Sequence, residues 1–188
     1  MIHGSVLPYW INTAYLMDFC LYLNKYKGIR IMDDSSPAYR ADYFGIIKGQ
    51  VECWNCRKET PVATIILCEH QLRWDAEDAF ENEIDPTVLK NIIKISDEAK
   101  SRITEQAPWM SFLASNTAQE TYLGNSCIDC KKLQGDWFLH KPDGPFFPQD
   151  DEQLNNLSLS WHSIPVSLSA SGSQSLWMDK IIKLFPRS

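Results

Sequence analysis

The sequence has few of the residues from which many enzyme sites are built. Its 188 residues include only eight glycines and four histidines, and neither a G-x-x-x-x-G-K-[ST] loop nor a G-x-G-x-x-G fingerprint occurs. Both glycine-rich patterns cradle phosphates, so nucleotide binding of those two kinds is not expected. The histidines are scattered along the chain, which predicts no histidine base paired with a serine or cysteine nucleophile. We therefore expect no enzymatic activity.

An excess of basic residues and long apolar runs are also absent. The formal net charge is −6, because 24 acidic residues outnumber 18 basic ones, which argues against phosphate-backbone binding as the main activity. No run approaches the roughly 20 apolar residues that a membrane-spanning helix needs. Residues 1–23 lack the basic start of an export signal. These features predict a cytoplasmic protein whose acidic surface meets a basic protein partner.

Cysteine is well represented, and its spacing is the most informative feature of the chain. Four of the six cysteines form two C-x-x-C pairs, a pattern that favours metal over disulfides in a reducing compartment. Two such pairs complete a tetrahedral site with bonds of about 2.3 Å. We predict one structural zinc ion bound by Cys53, Cys56, Cys127 and Cys130. Redox dithiols, an iron–sulfur cluster and unliganded thiols are the alternatives.

The other cysteines and two of the histidines are secondary candidates. Cys20 lies on the apolar face of a predicted helix and Cys68 ends an apolar run, so we expect both to be buried as small hydrophobic residues. His70 and His140 each follow an apolar run. Either histidine is a weaker candidate for replacing one of the cysteines as a metal ligand.

The apolar spacing predicts an α+β fold whose antiparallel sheet is built around a split, zinc-ribbon-like site of four cysteines. Strands are expected over 43–52 and 61–68, on either side of the first cysteine pair. The second pair repeats the arrangement weakly, with strands expected over 120–122 and 136–140. The predicted unit is thus a strand, a cysteine turn and a second strand.

Two helices are predicted outside these units. An N-terminal helix is expected over 13–28, and residues 71–119 are expected to form an acidic, helical insert between the cysteine pairs. In this insert, Asp85 and Pro86 have the residue types favoured at the N-cap and first position of a helix. They predict a long inserted helix that ends before Pro108.

The C-terminal part of the chain is predicted to add a hairpin and a tail over residues 149–188. Apolar and polar residues alternate between 157 and 168, which indicates a hairpin or two edge strands, and a short helix is expected over 176–185. We expect the whole chain, residues 1–188, to form a single zinc-stabilised domain.

Two stretches resemble a known pattern. Residues 53–62 follow C-x-x-C-x-K-x-T-P-V, and residues 127–140 follow C-x-x-C-x-x-x-Q-G-D-[FW]-F-L-H. In this the chain resembles a group of small, mostly uncharacterised bacterial proteins that carry a split zinc knuckle. The resemblance covers residues 45–68 and 120–148. It implies a bacterial origin and the same four zinc ligands, and it implies no activity.

An acidic segment with two aromatic residues is the predicted partner-binding region. Aromatic anchors rimmed by charge are typical of protein interfaces. The predicted contact residues are Trp74, Asp75, Glu77, Asp78, Phe80 and Glu81. They favour a non-enzymatic protein-binding module, in its most concrete form an inhibitor or immunity protein that neutralises a basic bacterial toxin such as a nuclease.

The alternative function is a zinc-knuckle protein that binds or regulates nucleic acid. Basic and aromatic residues interleave between Tyr22 and Arg30, as they do in surfaces on which bases stack. The same basic residues are also explained as favourable charges at the C-terminal end of a helix.

Overall fold

Strands outnumber helices in the part of the chain that the structure describes. The structure is a computed structural model that describes residues 39–74 and 78–187. Its eleven strands are β1 (Tyr39–Ala41), β2 (Phe44–Glu52), β3 (Glu59–Leu67), β4 (His70–Leu72), β5 (Glu81–Glu83), β6 (Thr87–Ile95), β7 (Met110–Ser115), β8 (Glu120–Ser126), β9 (Leu133–Gln134), β10 (Ser158–His162) and β11 (Val166–Ser173). The four helices in this part of the chain are α1 (Asp97–Gln106), α2 (Asp136–His140), α3 (Asp151–Asn155) and α4 (Leu176–Leu184). The α+β class is confirmed.

The strands form two antiparallel ladders that share one strand. Eight strands lie in the order β10-β2-β3-β6-β11-β1-β4-β5. Strands β7, β8 and β9 form a smaller ladder, which meets β6 where Ile92 pairs with Leu123. The first cysteine pair follows β2 and the second follows β8. Strand β6 pairs with β3, which follows the first cysteine pair, and with β8, which precedes the second pair. It therefore connects the strands next to the two pairs.

Apolar side chains cover both faces of the central strands. In β3, Ala63, Ile65 and Leu67 belong to one core cluster, whereas Val62 and Ile66 belong to the other. Successive residues of a strand point to opposite faces, so burial on both faces explains why β3 is a nearly continuous apolar run. Helix α1 contributes to the first cluster and α4 to the second.

The predicted long helix after Asp85 and Pro86 is wrong in its first half. Residues 87–95 form β6, which pairs with β3 and β11, and only residues 97–106 form helix α1. Asn91 has a φ of 50°, and the register with β11 shifts at this point, so the strand is bulged. A bulge breaks strict alternation, which explains why the apolar spacing resembles a helix. The segment between the cysteine pairs thus supplies a central strand.

The strands predicted around the second cysteine pair are partly wrong. Strand β8 precedes the pair as expected, but the return strand β9 has only two residues, and residues 136–140 form helix α2. Asp136 and Leu139 are buried, whereas Trp137 and Phe138 are exposed. Burial at every third residue is typical of a short surface helix and not of a strand.

Of the two arrangements predicted for residues 157–168, the hairpin is wrong and the pair of edge strands is right only for β10, which ends the eight-stranded order; the terminal helix is confirmed. Strand β10 pairs with β2, whereas β11 lies between β6 and β1, so β10 and β11 are not paired with each other. Alternation identifies strands but not their partners, since pairing joins segments distant in the sequence. Helix α4 agrees closely with the helix predicted over 176–185.

The predicted N-terminal helix and Cys20 lie in residues 1–38, outside the described residues. The described residues belong to one compact unit that spans 35–188. A single domain over 1–188 stays a prediction, because it includes the first 38 residues. Among the described residues, no helix is both long and apolar enough to cross a lipid bilayer.

Candidate metal centre

The first cysteine pair lies in a tight turn between β2 and β3, which we call knuckle 1 (residues 53–58). The backbone N–H of Cys53 donates to the carbonyl of Lys58 at 2.8 Å, and the N–H of Arg57 donates to the carbonyl of Cys53 at 2.9 Å. Arg57 has a φ of 63°, in the left-handed region. These bonds fold the turn so that Cys53 and Cys56 face the same point.

The second pair repeats this geometry in knuckle 2 (residues 127–132). The N–H of Cys127 donates to the carbonyl of Lys132 at 2.9 Å, and the N–H of Lys131 donates to the carbonyl of Cys127 at 3.0 Å. Lys131 has a φ of 60°. The weak internal repeat predicted from the sequence is therefore present in the two turns, although the strands that follow them differ.

The two knuckles bring four sulfur atoms together. The ligand atoms of Cys53, Cys56, Cys127 and Cys130 all lie within 4.8 Å of one another. The Sγ atoms of Cys53 and Cys130 are 3.6 Å apart, as are those of Cys56 and Cys127. A disulfide needs about 2.05 Å, whereas four sulfurs bound tetrahedrally at about 2.3 Å are separated by about 3.8 Å. The spacing fits a tetrahedral metal site and not disulfides.

Backbone N–H groups stabilise the thiolate form of the first cysteine in each knuckle. Hydrogen bonds from the backbone of Cys130 and Asp129 lower the pKa of Cys127 to about 6, against the opposing effect of burial. Burial raises the pKa of Cys53, but bonds from the backbone of Cys56 and Asn55 outweigh it and the net shift is downward. N–H groups that converge on sulfur are thus built into both turns.

The crowding of the thiols works in the other direction. A hydrogen bond from the backbone of Lys58 lowers the pKa of Cys56. Burial and the hydrogen-bonded thiols of Cys127, Cys53 and Cys130 raise this pKa by more, so that the net result is a pKa of about 12. Not all four thiols can become thiolates unaided, since like charges so close repel. A bound cation removes this repulsion, and the cluster is therefore a candidate metal centre.

Contacts between the exposed parts of the knuckles join them outside the sulfur cluster. Lys58 Nζ pairs with Asp129 Oδ1 at 2.8 Å. The indole Nε1 of Trp54 donates to the carbonyl of Leu133 at 2.8 Å. Each contact takes one partner from knuckle 1 and the other from knuckle 2 or the strand after it, so the two turns are held at a defined separation.

Two polar side chains support the centre from within. The N–H of Ile128 donates to Thr60 Oγ1 at 3.1 Å, and Thr60 is fully buried. Gln134 Nε2 donates to Cys53 Sγ at 3.3 Å and to the carbonyl of Lys132 at 2.8 Å. Hydrogen bonds to ligand atoms orient them and tune their charge. Neither residue was among the predicted site residues, although both lie in the resembled patterns.

Asn125 positions knuckle 2 against β3. Its Oδ1 accepts from the N–H of Ala63 at 2.7 Å, and its Nδ2 donates to the carbonyl of Ala63 at 2.9 Å. A single buried side chain thus satisfies both backbone groups of one β3 residue, as a neighbouring strand would. The sequence carries no signal for this bond, because it joins segments far apart in the chain.

The two candidate histidines lie away from the sulfur cluster. Burial lowers the pKa of His70, and neither of its ring nitrogens has a hydrogen-bond partner among the described residues. The ring of His140 packs 5.2 Å from that of Phe146, and burial, aided by the charge of Lys90, lowers its pKa to about 3. His70 is buried and His140 half-buried, and both are neutral residues outside the four-sulfur group.

A buried carboxyl group lies at the start of helix α2. Asp136 Oδ2 accepts from the backbone N–H of Asn91, the bulge residue of β6, at 2.7 Å. Burial raises the pKa of Asp136 to about 6, against the opposing effects of this bond and of Lys90. The bond fixes α2 to the bulge. The Q-G-D triplet of the resembled pattern was the only sequence signal for Asp136.

The remaining cysteine of the described residues is buried, as predicted. Cys68 lies in the second core cluster, and burial raises the pKa of its thiol to about 11. It therefore behaves as a small hydrophobic residue.

The predicted partner-binding residues lie at the β4–β5 hairpin. Trp74, Asp78 and Glu81 are exposed, whereas Asp75 and Glu77 lie outside the described residues. Phe80 is half-buried. The guanidinium carbons of Arg40 and Arg73 lie 4.1 and 4.8 Å from the centre of its ring, so Phe80 is packed within the chain.

Comparison with known protein families, curated proteins and solved structures found no match to this chain.

Proposed function

We propose that this chain is a non-enzymatic binding module whose fold is closed by one structural zinc ion. The observation that carries the proposal is the set of four sulfurs within 4.8 Å of one another, presented by two nearly identical turns. Thiolate ligands in tetrahedral geometry are the preferred environment of structural zinc. When bound, the ion supplies the charge that lets all four thiols become thiolates.

The same four ligands argue against catalysis at this centre. A catalytic zinc site keeps one position open for water or substrate, whereas four thiolates fill a tetrahedral ion. Residues 57–126 separate the two pairs, and the entropy of closing such a loop grows only logarithmically with its length. Structural zinc contributes about 10–16 kcal/mol in small zinc-finger peptides. The role assigned to the metal is therefore to stabilise the fold.

The partner assigned to this module is a basic protein that contacts the β4–β5 hairpin. Strand β5 is the last strand of the sheet, and the exposed Glu81 begins it. Trp74 is 59% exposed beside it, and large exposed aromatic side chains are common anchors of protein interfaces. Together with the net charge of −6, the acidic hairpin supports an inhibitor or immunity protein that neutralises a basic toxin such as a nuclease.

The proposal includes a cytoplasmic location. Four thiols that must remain reduced to bind zinc favour a reducing compartment.

The test of the partner proposal is a matched set of hairpin variants. The partner is first captured from a cell lysate with the zinc-loaded protein and identified by mass spectrometry. Its binding kinetics are then measured with wild type, Glu81→Lys and Trp74→Ala at low and physiological salt. Glu81→Lys should slow association, most strongly at low salt where the Debye length is about 30 Å. Trp74→Ala should instead speed dissociation, by about tenfold or more.

Glu120→Lys is the control, since Glu120 is equally exposed but lies on the other ladder. It should leave the kinetics unchanged. Equal binding by Glu81→Lys, Trp74→Ala and wild type would show that the hairpin is not the interface. If the partner is a toxin, its activity should be inhibited by wild type and less by the hairpin variants.

A further inference from the structure

Three exposed aromatic rings lie on knuckle 1 and on helix α2, which follows knuckle 2 and strand β9. Trp137 and Phe138, side by side on helix α2, are 70% and 61% exposed, and their ring centres are 5.1 Å apart in an edge-to-face arrangement. Trp54 in knuckle 1 is 58% exposed. We call these three residues the aromatic surface. None of the three side chains belongs to either core cluster, so burial in the core does not account for them.

The three rings flank one short segment of chain. The indole of Trp54 is fixed to the carbonyl of Leu133 by its 2.8 Å hydrogen bond. The ring of Phe138 lies 3.6 Å from the point where a Cβ on Gly135 would stand. Leu133 and Gly135 are two residues apart, so one ring from knuckle 1 and one from helix α2 lie against the same short segment. The hydrogen bond that places Trp54 is also one of the contacts that join the knuckles.

Lysine side chains border the aromatic surface. The ammonium of Lys141 lies 5.8 Å from the ring centre of Trp137 and 5.5 Å from that of Phe138. Lys131 and Lys132 are exposed at the end of knuckle 2. Within the described ranges, no carboxylate lies within ion-pair distance of Lys131, Lys132 or Lys141. The Nζ of Lys131 donates to the carbonyl of Ile128 at 2.7 Å, which leaves its charge without a neutralising carboxylate like those of the other two lysines.

The positive charge beside the rings comes from individual lysines and not from a net excess in the region. Residues 52–58 and 127–141 together carry five basic and three acidic side chains, a formal charge of +2, which a zinc ion with four thiolates would cancel. Two of the five basic side chains are already paired, Arg57 with Glu52 and Lys58 with Asp129. The three lysines that border the rings are the charges complementary to an anion.

We propose that the aromatic surface binds single-stranded nucleic acid, with bases stacked on its rings and phosphates paired with the bordering lysines. Exposed aromatic rings bordered by basic side chains are the features on which unpaired bases stack. Lysine is depleted in protein–protein interfaces but is a common phosphate contact, which favours a nucleic acid over an acidic protein. A duplex keeps its bases stacked on each other and offers no faces to the rings. This activity is independent of the hairpin and of its partner.

The test is fluorescence anisotropy with zinc-loaded, full-length protein and a labelled oligothymidine of about 15 nucleotides, within the length of one single-strand site. We expect a dissociation constant of about 10⁻⁴–10⁻⁶ M at physiological salt, as for binding without sequence preference, tighter binding at low salt, and quenching of tryptophan fluorescence. Replacing both rings in Trp137→Ala with Phe138→Ala should weaken binding at least tenfold. Leu176→Ala, which removes an exposed apolar side chain of helix α4, should not.

A charge variant separates phosphate pairing from stacking. Lys131→Glu with Lys132→Glu should weaken binding and reduce the slope of log affinity against log salt by about 0.7 for each phosphate that is no longer neutralised. Lys183→Glu is the control, since Lys183 is exposed on helix α4. Zinc content and melting temperature of each variant show that the fold is intact.

Two results would overturn the proposal. One is no anisotropy change with wild type up to about 100 µM protein at low salt. The other is binding of a matched duplex or of polyglutamate as tight as that of the single strand, and unchanged in Trp137→Ala with Phe138→Ala. The second result would assign the bordering lysines to polyanions in general or to an acidic polypeptide.

Discussion

At the scale of single residues, Asn125 replaces hydrogen bonds that a strand would otherwise make. It satisfies both the N–H and the carbonyl of Ala63 in the core. Asn125→Ala should lower the free energy of unfolding by about 2 kcal/mol, because two buried backbone groups lose their partner. Urea denaturation of the zinc-loaded protein measures this difference. Asn155→Ala, at an exposed position in helix α3, is the control and should lower the free energy of unfolding much less. Equal decreases in the two variants would show that Asn125 does not have this role.

Asp136 makes stability depend on pH in a direction opposite to that of most carboxylates. Its pKa is raised from 3.8 to about 6, so the folded state favours the protonated form. The protonated Asp136 contributes its full stabilisation below the pKa of the unfolded state, 3.8. This stabilisation is lost as the pH rises through the pKa of the folded state, about 6. Asp136→Asn keeps an oxygen for Asn91 without the charge, and should be more stable than wild type above pH 6, by up to about 3 kcal/mol.

The measurement for Asp136 is the difference in unfolding free energy between wild type and Asp136→Asn from pH 4 to pH 8. Taking the difference removes the pH dependence that both proteins share through zinc release. The gap should widen with rising pH over this window. A gap that is constant or narrows would show that Asp136 is ionised at little cost in the folded state.

At the scale of elements, the two cysteine turns depend on a residue in the left-handed region. Lys131 has a φ of 60°, where β-branched side chains are strongly disfavoured. Lys131→Val should therefore be less stable than Lys131→Gly, by about 1–2 kcal/mol. Both variants lose the hydrogen bond from Lys131 Nζ to the carbonyl of Ile128, so the comparison isolates the backbone.

The same pair of substitutions at Lys132 provides the control. No positive φ is found at Lys132, so valine there should be at least as stable as glycine. Thermal melting of the four zinc-loaded variants measures both differences. If valine and glycine rank in the same order at the two positions, the left-handed turn is not a determinant of stability.

Local pattern predicted some elements well and others poorly, for physical reasons. Strands β2 and β3 and helix α4 have apolar spacing that only one element type explains. Strand β6 was predicted as a helix, because a bulge at Asn91 disrupts its alternation and its neighbours β3 and β11 come from distant parts of the chain. The pairing of β10 with β2 has the same non-local origin.

At the candidate site, the sequence predicted the metal ligands but not the residues that support them. The C-x-x-C spacing marks the four cysteines directly, since one turn points two sulfurs at one ion. Asn125, Thr60 and Gln134 support them through contacts across the fold. Such contacts depend on how β8 lies against β3, which the sequence pattern does not encode.

At the scale of the whole molecule, we propose that one metal ion joins knuckle 1 and knuckle 2, whose cysteine pairs are separated by residues 57–126. The segment between them is not a loop but supplies β6, the strand shared by both ladders. Loss of the metal should therefore loosen the sheet as well as the turns. In this account the metal and the sheet stabilise each other.

The most direct test of the account is the zinc content of the protein purified under reducing conditions, measured by native mass spectrometry. Wild type should carry one zinc per chain, and Cys127→Ser should lose most of it and melt far lower, because binding free energy is also folding free energy. Cys68→Ala, which changes a cysteine of the apolar core, should keep its zinc. Wild type without metal, or Cys127→Ser with a full zinc and a normal melting temperature, would contradict the assignment of the four cysteines to one structural zinc ion.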